Sequence, residues 1–409
     1  MGGGWIFLAI LLVLAAAIMR QGTLLLVGCL LFIVSAVSAL WAKYSLRRLD
    51  YSRKMSATRA FFGDEVTLEL TVANRKLLPL PWLDIREELD EELTPQSVKV
   101  SPSYKPKRVY IQNLFSLGWY HQVTRIYHIH CLHRGYFSVG PTVIRSGDFF
   151  GFRNQQQEVG HPLKLLVYPR VVPLEALGIP SREPFGDLRL RRHLFEDPVR
   201  AVGIRDYVAG DPMKRIHWKA TARAQRLQTK VFEHTTAVDM ALFLDVRTVA
   251  PPYWAQIPQL LETAIIAAAS IANYANDQGY RMGMYINQTY RGNNQTMRLP
   301  PSGHPEQFMR VLEALAQVLP PEQWPIERLL QREGAALPWA STLVVVTVVP
   351  SEGLLGTLLS FRRAGRPVAL VVVGGEKPTS NLAGMPLYHI PAEIPWENVE
   401  SIAASPVTA

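Results

Sequence analysis

The chain opens with two long apolar runs. No charged side chain occurs in residues 1–19 or in residues 21–42, and Arg20 alone separates the runs. As helices rising about 1.5 Å per residue, both runs are long enough to cross about 30 Å of hydrocarbon. The pattern predicts a transmembrane helical hairpin over residues 1–42. A cleaved signal peptide is the alternative, but the start of the chain lacks the basic residues of an export signal.

From about residue 60 the pattern changes to short alternating segments. Val66–Val72 and Val123–Leu132 alternate apolar and polar side chains, as half-buried antiparallel strands do. Turn residues separate such segments at spacings that suit a small sandwich of about one hundred residues. We therefore predict a β-sandwich of immunoglobulin-like type over residues 60–165.

Beyond residue 238, strand patterns alternate with helix patterns. Strands are predicted at 240–244, 281–286, 343–349 and 368–373, and helices at 260–275 and 308–318. Continuous valine-rich strands between helices favour a mostly parallel sheet covered on both faces. The sequence thus predicts an α/β domain with a C-terminal tail over residues 238–409, joined to the sandwich by residues 166–237.

The charge balance is basic, with 43 Lys and Arg against 34 Asp and Glu and a net charge of +9. This excess favours acidic partners such as anionic lipid, nucleic acid or an acidic protein face. The basic residues directly after the second apolar run are Lys43, Arg47, Arg48, Arg53, Lys54 and Arg59. The positive-inside rule places this juxtamembrane segment, residues 43–59, in the cytoplasm. We expect a multi-pass inner-membrane protein that contacts membrane lipid and has cytoplasmic soluble domains.

The segment from Arg205 to Arg223 carries the most distinctive pattern. Gly210 permits a turn, and Asp211 followed by Pro212 is typical of a helix start. On the predicted helix, one face carries Asp211, Arg215, Lys219 and Arg223, and another carries Met213, Ile216 and Ala220. The basic stripe is either a solvated face or a docking surface for an anionic group, oriented by Asp206 and Asp211.

The same segment resembles a known family signature. The matching positions are Arg205, Tyr207, Gly210, Asp211, Arg215, Ile216, Trp218, Lys219, Thr221, Ala222 and Arg223. They resemble the signature of the domain of unknown function 58 family. Upstream, Arg134–Tyr136, Gly140-Pro141 and Gly147–Gly151 resemble further elements of that family, with Phe149 in place of a proline. The resemblance implies a membrane-anchored bacterial protein with a β domain and a von Willebrand factor A-like domain, often associated with MoxR-type AAA+ ATPases.

The resemblance also raises the question of a metal site. Metal-binding von Willebrand factor A domains carry D-x-S-x-S after the first strand, because two hydroxyls and a carboxylate suit Mg²⁺. Here the positions read Asp245 to Val249, with Arg247 at the first serine position, and no aspartate follows Thr347. We expect a degenerate site at Asp245 and Arg247, without a metal or another cofactor. The two cysteines, Cys29 and Cys131, provide no thiolate site.

The sequence favours a binding role over catalysis. It contains no P-loop, no G-x-S-x-G and no G-x-G-x-x-G after a predicted strand. We expect a membrane-anchored, non-enzymatic adaptor for protein partners, with a MoxR-type ATPase suggested by the resemblance and no nucleic acid. The alternative is a hydrolase or phosphate-binding enzyme, with Arg205, Asp211, Arg215, His217 and Lys219 converging on an anionic substrate. The client and the oligomeric state stay open.

Overall fold

The chain divides into two compact units, Met1–Pro169 and Arg170–Ala409. The computed structural model describes residues 4–95, 98–151, 153–177, 195–208, 213, 216–235, 239–250, 256–290, 295–319, 324–339, 341–375 and 385–391. In the signature segment, Gly210, Asp211 and Arg215 therefore lie outside the described residues. The C-terminal tail beyond residue 391 lies outside them as well.

Unit 1 begins with the helices α1 (Gly4–Met19) and α2 (Gly22–Ser45). Helix α2 has 24 residues, a length of about 36 Å, and its most apolar window has a mean hydropathy of 2.6. Helix α1 is apolar but has only 16 residues, about 24 Å, which is shorter than a typical hydrocarbon core. Among the described residues, α2 alone is long and apolar enough to cross a membrane.

The two helices pack closely through small residues. A Cβ atom added at Gly28 would lie 2.8 Å from Val13 Cγ2, closer than van der Waals contact allows. Ala9 and Ala16 on α1 and Ser35 on α2 are also buried. Small side chains let helix backbones approach each other, as they do at interfaces between helices in membranes.

The rest of unit 1 consists of two sheets. The strands are β1 (Leu49–Met55), β2 (Arg59–Ala60), β3 (Glu65–Asn74), β4 (Leu80–Asp90), β5 (Val100–Pro102), β6 (Arg108–Leu117), β7 (Gln122–His130), β8 (Gly135–Gly147), β9 (Asn154–Val159) and β10 (Leu163–Val167). One sheet has the order β1-β3-β7, and the other β2-β10-β8-β4-β6-β5, with β9 paired to β8. Leu68 and Ile129 of the first sheet share one buried core with Ile111 and Leu165 of the second. The pairings are antiparallel apart from β2 with β10.

Strand β1 lies within residues 43–59, for which the sequence predicts only a basic juxtamembrane segment. It pairs antiparallel with β3, and its side chains alternate in exposure. Arg53 does not face lipid or solvent, because its guanidinium pairs with the fully buried Glu87. Thr142 Oγ1 also donates to Glu87, at 2.8 Å. Because Arg53 is charged, β1 was not recognised as a strand in the sequence, although the apolar side chains on the same face of β1 lie two residues away from Arg53.

Unit 2 combines a two-stranded element with a larger α/β sheet. Its elements are β11 (Phe195–Asp206), α3 (Trp218–Ala224), β12 (Gln228–Thr235), β13 (Asp239–Leu244), α4 (Pro258–Asp277), β14 (Arg281–Thr289), β15 (Thr296–Ser302), α5 (Gln307–Ala316), α6 (Ile326–Leu329), β16 (Thr342–Thr347), α7 (Glu352–Arg363), β17 (Val368–Val373) and β18 (Leu387–Ile390). The larger sheet has the order β15-β14-β13-β16-β17-β18. Its pairings are parallel except between β14 and β15. The predicted alternation of strands and helices is therefore present.

The burial pattern of the α/β sheet explains the apolar runs. Every residue of β16 and β17 is buried, which is typical of parallel strands covered on both faces. A π-helical turn, Leu330–Gly334, follows α6, and 3-10 turns occur at Glu91–Leu93 and Leu174–Leu177.

Candidate functional site

The signature segment is built on the antiparallel pair β11–β12. Arg205 lies opposite Thr229 and Asp206 opposite Gln228. The Asp206 carboxylate accepts a hydrogen bond from the Gln228 side chain, and its Oδ2 lies 3.2 Å from Nη1 of Arg226. Beyond the end of β11, Tyr207 N donates to Leu227 O at 2.9 Å. These contacts tie the end of β11 to the start of β12.

Pro212, where the sequence predicts the helix to start, lies outside the described residues. Helix α3 starts at Trp218, because Ile216 forms a β-bridge with Thr229 and His217 N donates to the Gln228 carbonyl at 2.8 Å. His217, not Asp211, is the N-cap, and its Nδ1 accepts from Ala220 N at 3.0 Å. Pairing with β12 thus replaces helix at Ile216 and His217, which the sequence places within the predicted helix.

The predicted stripes change accordingly. Lys219 and Arg223 are both exposed and four residues apart on α3, so this half of the basic stripe is present. The predicted apolar stripe was wrong in part: Ile216 is 4% exposed, but Met213 is 62% exposed. Trp218 is 65% exposed and does not fill a pocket. Arg205 is exposed, and Tyr207 is half-buried.

The sequence analysis missed an exposed apolar surface around α3. It consists of Ile204, Val208, Met213, Trp218 and Leu227. The hydrogen bond from Tyr207 N to Leu227 O holds the chain beside Val208 next to Leu227, and Ile216 N donates to Met213 O shortly before α3. We call these five residues, with Lys219, Arg223 and Arg226, the Trp218 surface. The prediction of a helix over this segment placed Met213 on a buried face, but helix α3 has no buried residue.

A second constellation lies at the carboxyl ends of the central parallel strands. Asp245 follows β13 and is fully buried. Its Oδ1 accepts from Asn287 Nδ2 at 2.7 Å and from Arg247 Nε at 3.0 Å. Its Oδ2 accepts from Arg247 Nη2 at 3.0 Å and from Thr347 Oγ1 at 3.1 Å. Burial raises the pKa of the Asp245 carboxyl, and the hydrogen bonds and charge of Arg247 oppose that rise. We call these four residues the Asp245 cluster.

The Asp245 cluster is linked to two helices. Arg247 Nη2 lies 3.5 Å from Oε2 of Glu327 on α6, and the Glu327 carboxylate accepts from the Ser351 hydroxyl. Ser351 caps α7 by accepting from Leu354 N at 3.2 Å. Thr347 ends β16, and Asn287 is the first polar residue after the apolar stretch of β14, so a polar residue following an apolar run was the available sequence signal.

The cluster lies where ligands often bind in open α/β sheets. Strand β13 has β14 on one side and β16 on the other, so the order in which the chain adds strands to the sheet reverses direction at β13. Here, however, the Arg247 side chain contacts both carboxylate oxygens of Asp245 and is itself only 11% exposed. Among the described residues, no group of three or more His, Cys, Asp or Glu is arranged to hold a metal ion. This arrangement is an internally neutralised ion pair.

A curated relative, "Uncharacterized protein YeaD" of Bacillus subtilis (strain 168), is 25% identical over 217 residues, which are 51% of this chain and 50% of that protein. The chain thus spans about half the length of that relative.

Solved structures give only distant matches. A cohesin module from Clostridium perfringens is 12% identical, with a TM-score of 0.21 over 29% of this chain and 96% of that one. The CARDB domain of a Pyrococcus furiosus protein is 10% identical, with a TM-score of 0.20 over 30% and 90%. Such scores do not define a shared fold, so neither the immunoglobulin-like nor the von Willebrand factor A-like type is established by them.

The signature segment itself gives the clearest match. Residues 203–351, which include α3, the Trp218 surface and the Asp245 cluster, match a family model. The resemblance found in the sequence is confirmed over residues 203–351, which match the family model described as "Protein of unknown function DUF58".

Proposed function

We propose that this protein is a membrane-anchored, non-enzymatic adaptor that binds an acidic protein partner through the Trp218 surface. The observation that carries the proposal is the exposure of Trp218 beside Lys219 and Arg223. Trp and Arg dominate the binding energy of protein interfaces, and clustered exposed apolar side chains mark interaction sites. The His217 cap, whose Nδ1 accepts from Ala220 N at 3.0 Å, fixes the first turn of α3, which carries Trp218.

The charge around this surface indicates the chemistry of the partner. Residues 204–230 contain seven Lys and Arg and two Asp. The Asp206 carboxylate is already paired with Arg226. A partner face with clustered carboxylates would therefore complement this surface and be steered to it. A MoxR-type AAA+ ATPase is the partner that the family resemblance suggests.

Membrane anchoring is the second part of the proposal. Helix α2 meets the length and hydropathy needed to cross a bilayer. Helix α1 packs against it through Gly28 and Val13 and would complete the hairpin. Lys43 lies in the last turn of α2, and Arg47 and Arg48 follow the helix, so the positive-inside rule places the part of the chain after α2 in the cytoplasm. We propose an inner-membrane, multi-pass protein with an immunoglobulin-like β domain and a von Willebrand factor A-like α/β domain.

The contacts of the candidate catalytic groups support a non-enzymatic role. His217 Nδ1 accepts a backbone N–H as the α3 cap, so that nitrogen is not available as a base. The Asp245 carboxylate is held between Arg247, Asn287 and Thr347. No contact among the described residues favours the hydrolase alternative.

The test is a binding titration with the full chain in lipid nanodiscs. A purified MoxR-type ATPase from the same organism is titrated with and without ATP, and Kd is measured for wild type, Trp218→Ala and Arg223→Glu. Loss of a Trp anchor costs about 2 kcal/mol, so Trp218→Ala should weaken binding about 30-fold. Arg223→Glu should reduce affinity most at low salt.

Matched controls separate this surface from general effects. Tyr104→Ala removes an aromatic side chain that is even more exposed, in unit 1, and Arg328→Glu reverses an exposed charge on α6. Both should bind as wild type does. Equal affinity of wild type and Trp218→Ala, or no binding by wild type at any nucleotide state, would contradict the proposal.

A further inference from the structure

Exposed apolar side chains are concentrated in three turns of the β region of unit 1. Leu77 lies between β3 and β4, Trp119 and Tyr120 between β6 and β7, and Phe149 and Phe150 between β8 and β9. Each of these side chains is between 57% and 73% exposed. We call these five residues the aromatic loops. Neither the Trp218 surface nor the Asp245 cluster includes them.

Strand register places the three turns at the same end of the β region. Leu80 at the start of β4 lies opposite Leu117 at the end of β6. Leu83 of β4 lies opposite Ser146 near the end of β8. The Asn74 side chain also donates to Gly118 O at 2.8 Å. The aromatic loops therefore lie at one end of the β region.

The same end receives the apolar helix α2. Lys76 Nζ donates to the carbonyl of Ser45, the last residue of α2, at 2.7 Å. Arg75 N donates to Arg48 O at 3.0 Å, so the β3–β4 turn is also tied to the chain that leaves the helix. Strands β8 and β9 pack against α2. The aromatic loops thus lie beside the C-terminal end of the proposed membrane anchor.

The surrounding charges match a bilayer surface. Lys43 and Arg47 lie over the Tyr44 ring, at 5.9 and 5.0 Å from its centroid, and Arg48 follows them directly. Trp and Tyr rings favour the headgroup level of a membrane, and Lys and Arg next to a membrane attract anionic lipid. Exposed Phe and Leu side chains bury apolar area when they enter that boundary.

We propose that the aromatic loops insert into the headgroup region of the bilayer that holds α2, so that the β region rests on the membrane surface. This inference rests on the proposed anchoring by α2. The β region then has a fixed height above the bilayer, because the loops and the helix end enter the same leaflet together.

The opposite end of the same strand provides a control position. Tyr104, in the β5–β6 turn, is 82% exposed. It precedes β6, whereas Trp119 follows it, and the strand of ten residues between them spans about 34 Å. An exposed aromatic residue at that end would remain in water.

The experiment places nitroxide labels on the full chain in nanodiscs of phosphatidylcholine and phosphatidylglycerol. Single-cysteine variants carry the label at Leu77→Cys, Trp119→Cys, Phe149→Cys or Tyr104→Cys, with both native cysteines replaced by Ala. A fifth protein keeps only native Cys29, which is exposed on α2. Collision rates with oxygen, which partitions into lipid, and with a water-soluble nickel chelate are measured for each label.

The ratio of oxygen to nickel collisions should be severalfold higher at positions 77, 119 and 149 than at position 104, and highest at Cys29. A high ratio at Cys29 with ratios at all three loop positions equal to that of position 104 would overturn the insertion and leave the anchoring intact. A low ratio at Cys29 would instead refute the anchoring by α2 and the insertion that rests on it. Three independent loop positions keep the test decisive if one variant fails to fold.

Discussion

Replacing Arg247 by Met should destabilise unit 2 strongly, because it removes the cation that neutralises Asp245. The carboxylate would lose its hydrogen bonds from Arg247 Nε and Nη2 while keeping those from Asn287 and Thr347. Breaking a buried ion pair by removing one partner costs about 3–5 kcal/mol. Since the Arg247 side chain is 11% exposed and water can partly replace it, we expect the lower end, about 3 kcal/mol.

The assay is calorimetric unfolding of the detergent-solubilised full chain. For a unit of this size, about 3 kcal/mol corresponds to a fall in Tm of about 6–12 °C. Asp245→Asn combined with Arg247→Met removes the unpaired charge as well, so most of the loss should be recovered. Arg310→Met, which breaks an exposed pair with Glu306, is the control and should change stability by less than about 1 kcal/mol.

The pH dependence gives an independent check. Burial already raises the pKa of Asp245, and removal of Arg247 should raise it further. The folded variant then holds a proton that the unfolded chain releases, so its stability should fall as pH rises from about 4 towards 7. The deficit relative to wild type should be smallest in acid. A Tm unchanged by Arg247→Met, or a deficit that grows as pH falls, would refute the assigned role of the ion pair.

Three further predictions concern other parts of the chain. Gly28→Leu should separate α1 from α2, because even a Cβ would lie 2.8 Å from Val13 Cγ2, and cysteine crosslinking between the helices should drop. Burial lowers the pKa of Lys76 to about 8, so the Lys76 ammonium loses its proton at a lower pH in the folded state than in the unfolded state. Wild type should therefore gain stability relative to Lys76→Met as pH rises from about 8 to 10, and parallel melting curves would contradict this. Arg53→Met should leave the buried Glu87 unpaired and cost about 3 kcal/mol or more in urea unfolding, whereas Arg53→Met with Glu87→Gln should recover most of it.

Magnesium provides a direct test of the expected degenerate metal site. Arg247 approaches both oxygens of Asp245, where a cation would have to bind. Millimolar Mg²⁺ should therefore leave the Tm of wild type unchanged, since a ligand that binds the native state must raise it. A rise in Tm that Asp245→Ala abolishes would show that a metal competes with Arg247.

Four strands of the α/β sheet, β13, β14, β16 and β17, were predicted from sequence because each is a largely apolar run, as in Val368–Val373. Strand β15, which contains two prolines, and the four-residue strand β18 were not predicted. Strands β3 and β7 were predicted from their alternation of apolar and polar residues. Strand β1 was not, since Arg53 is buried through a partner, Glu87, that is distant in sequence.

The signature segment shows where prediction from local sequence fails. Asp211-Pro212 is a good local helix start, but Ile216, which the sequence places on that helix, pairs with Thr229, and helix α3 begins at Trp218. Local propensity is a weak signal that tertiary pairing overrides. The Asp245 cluster was predicted in part. The sequence led us to expect that Arg247 excludes a metal, but the contact between Arg247 and Glu327 depends on the position of α6, which the sequence does not reveal. The motif residues identified the signature segment from the sequence, but only the structure shows which of its side chains are exposed.

Site-specific photocrosslinking at position 218 tests the central claim most directly. A benzoylphenylalanine residue replaces Trp218 in the full chain in living cells, and a second strain carries it at Tyr104. We expect an ultraviolet-dependent adduct from position 218 only, in the membrane fraction, with peptides of a MoxR-type AAA+ ATPase identified by mass spectrometry. Charge reversal at Lys219 and Arg223 should abolish this adduct. No adduct at position 218, or the same adduct at position 104, would contradict the assignment of the Trp218 surface as the partner-binding site.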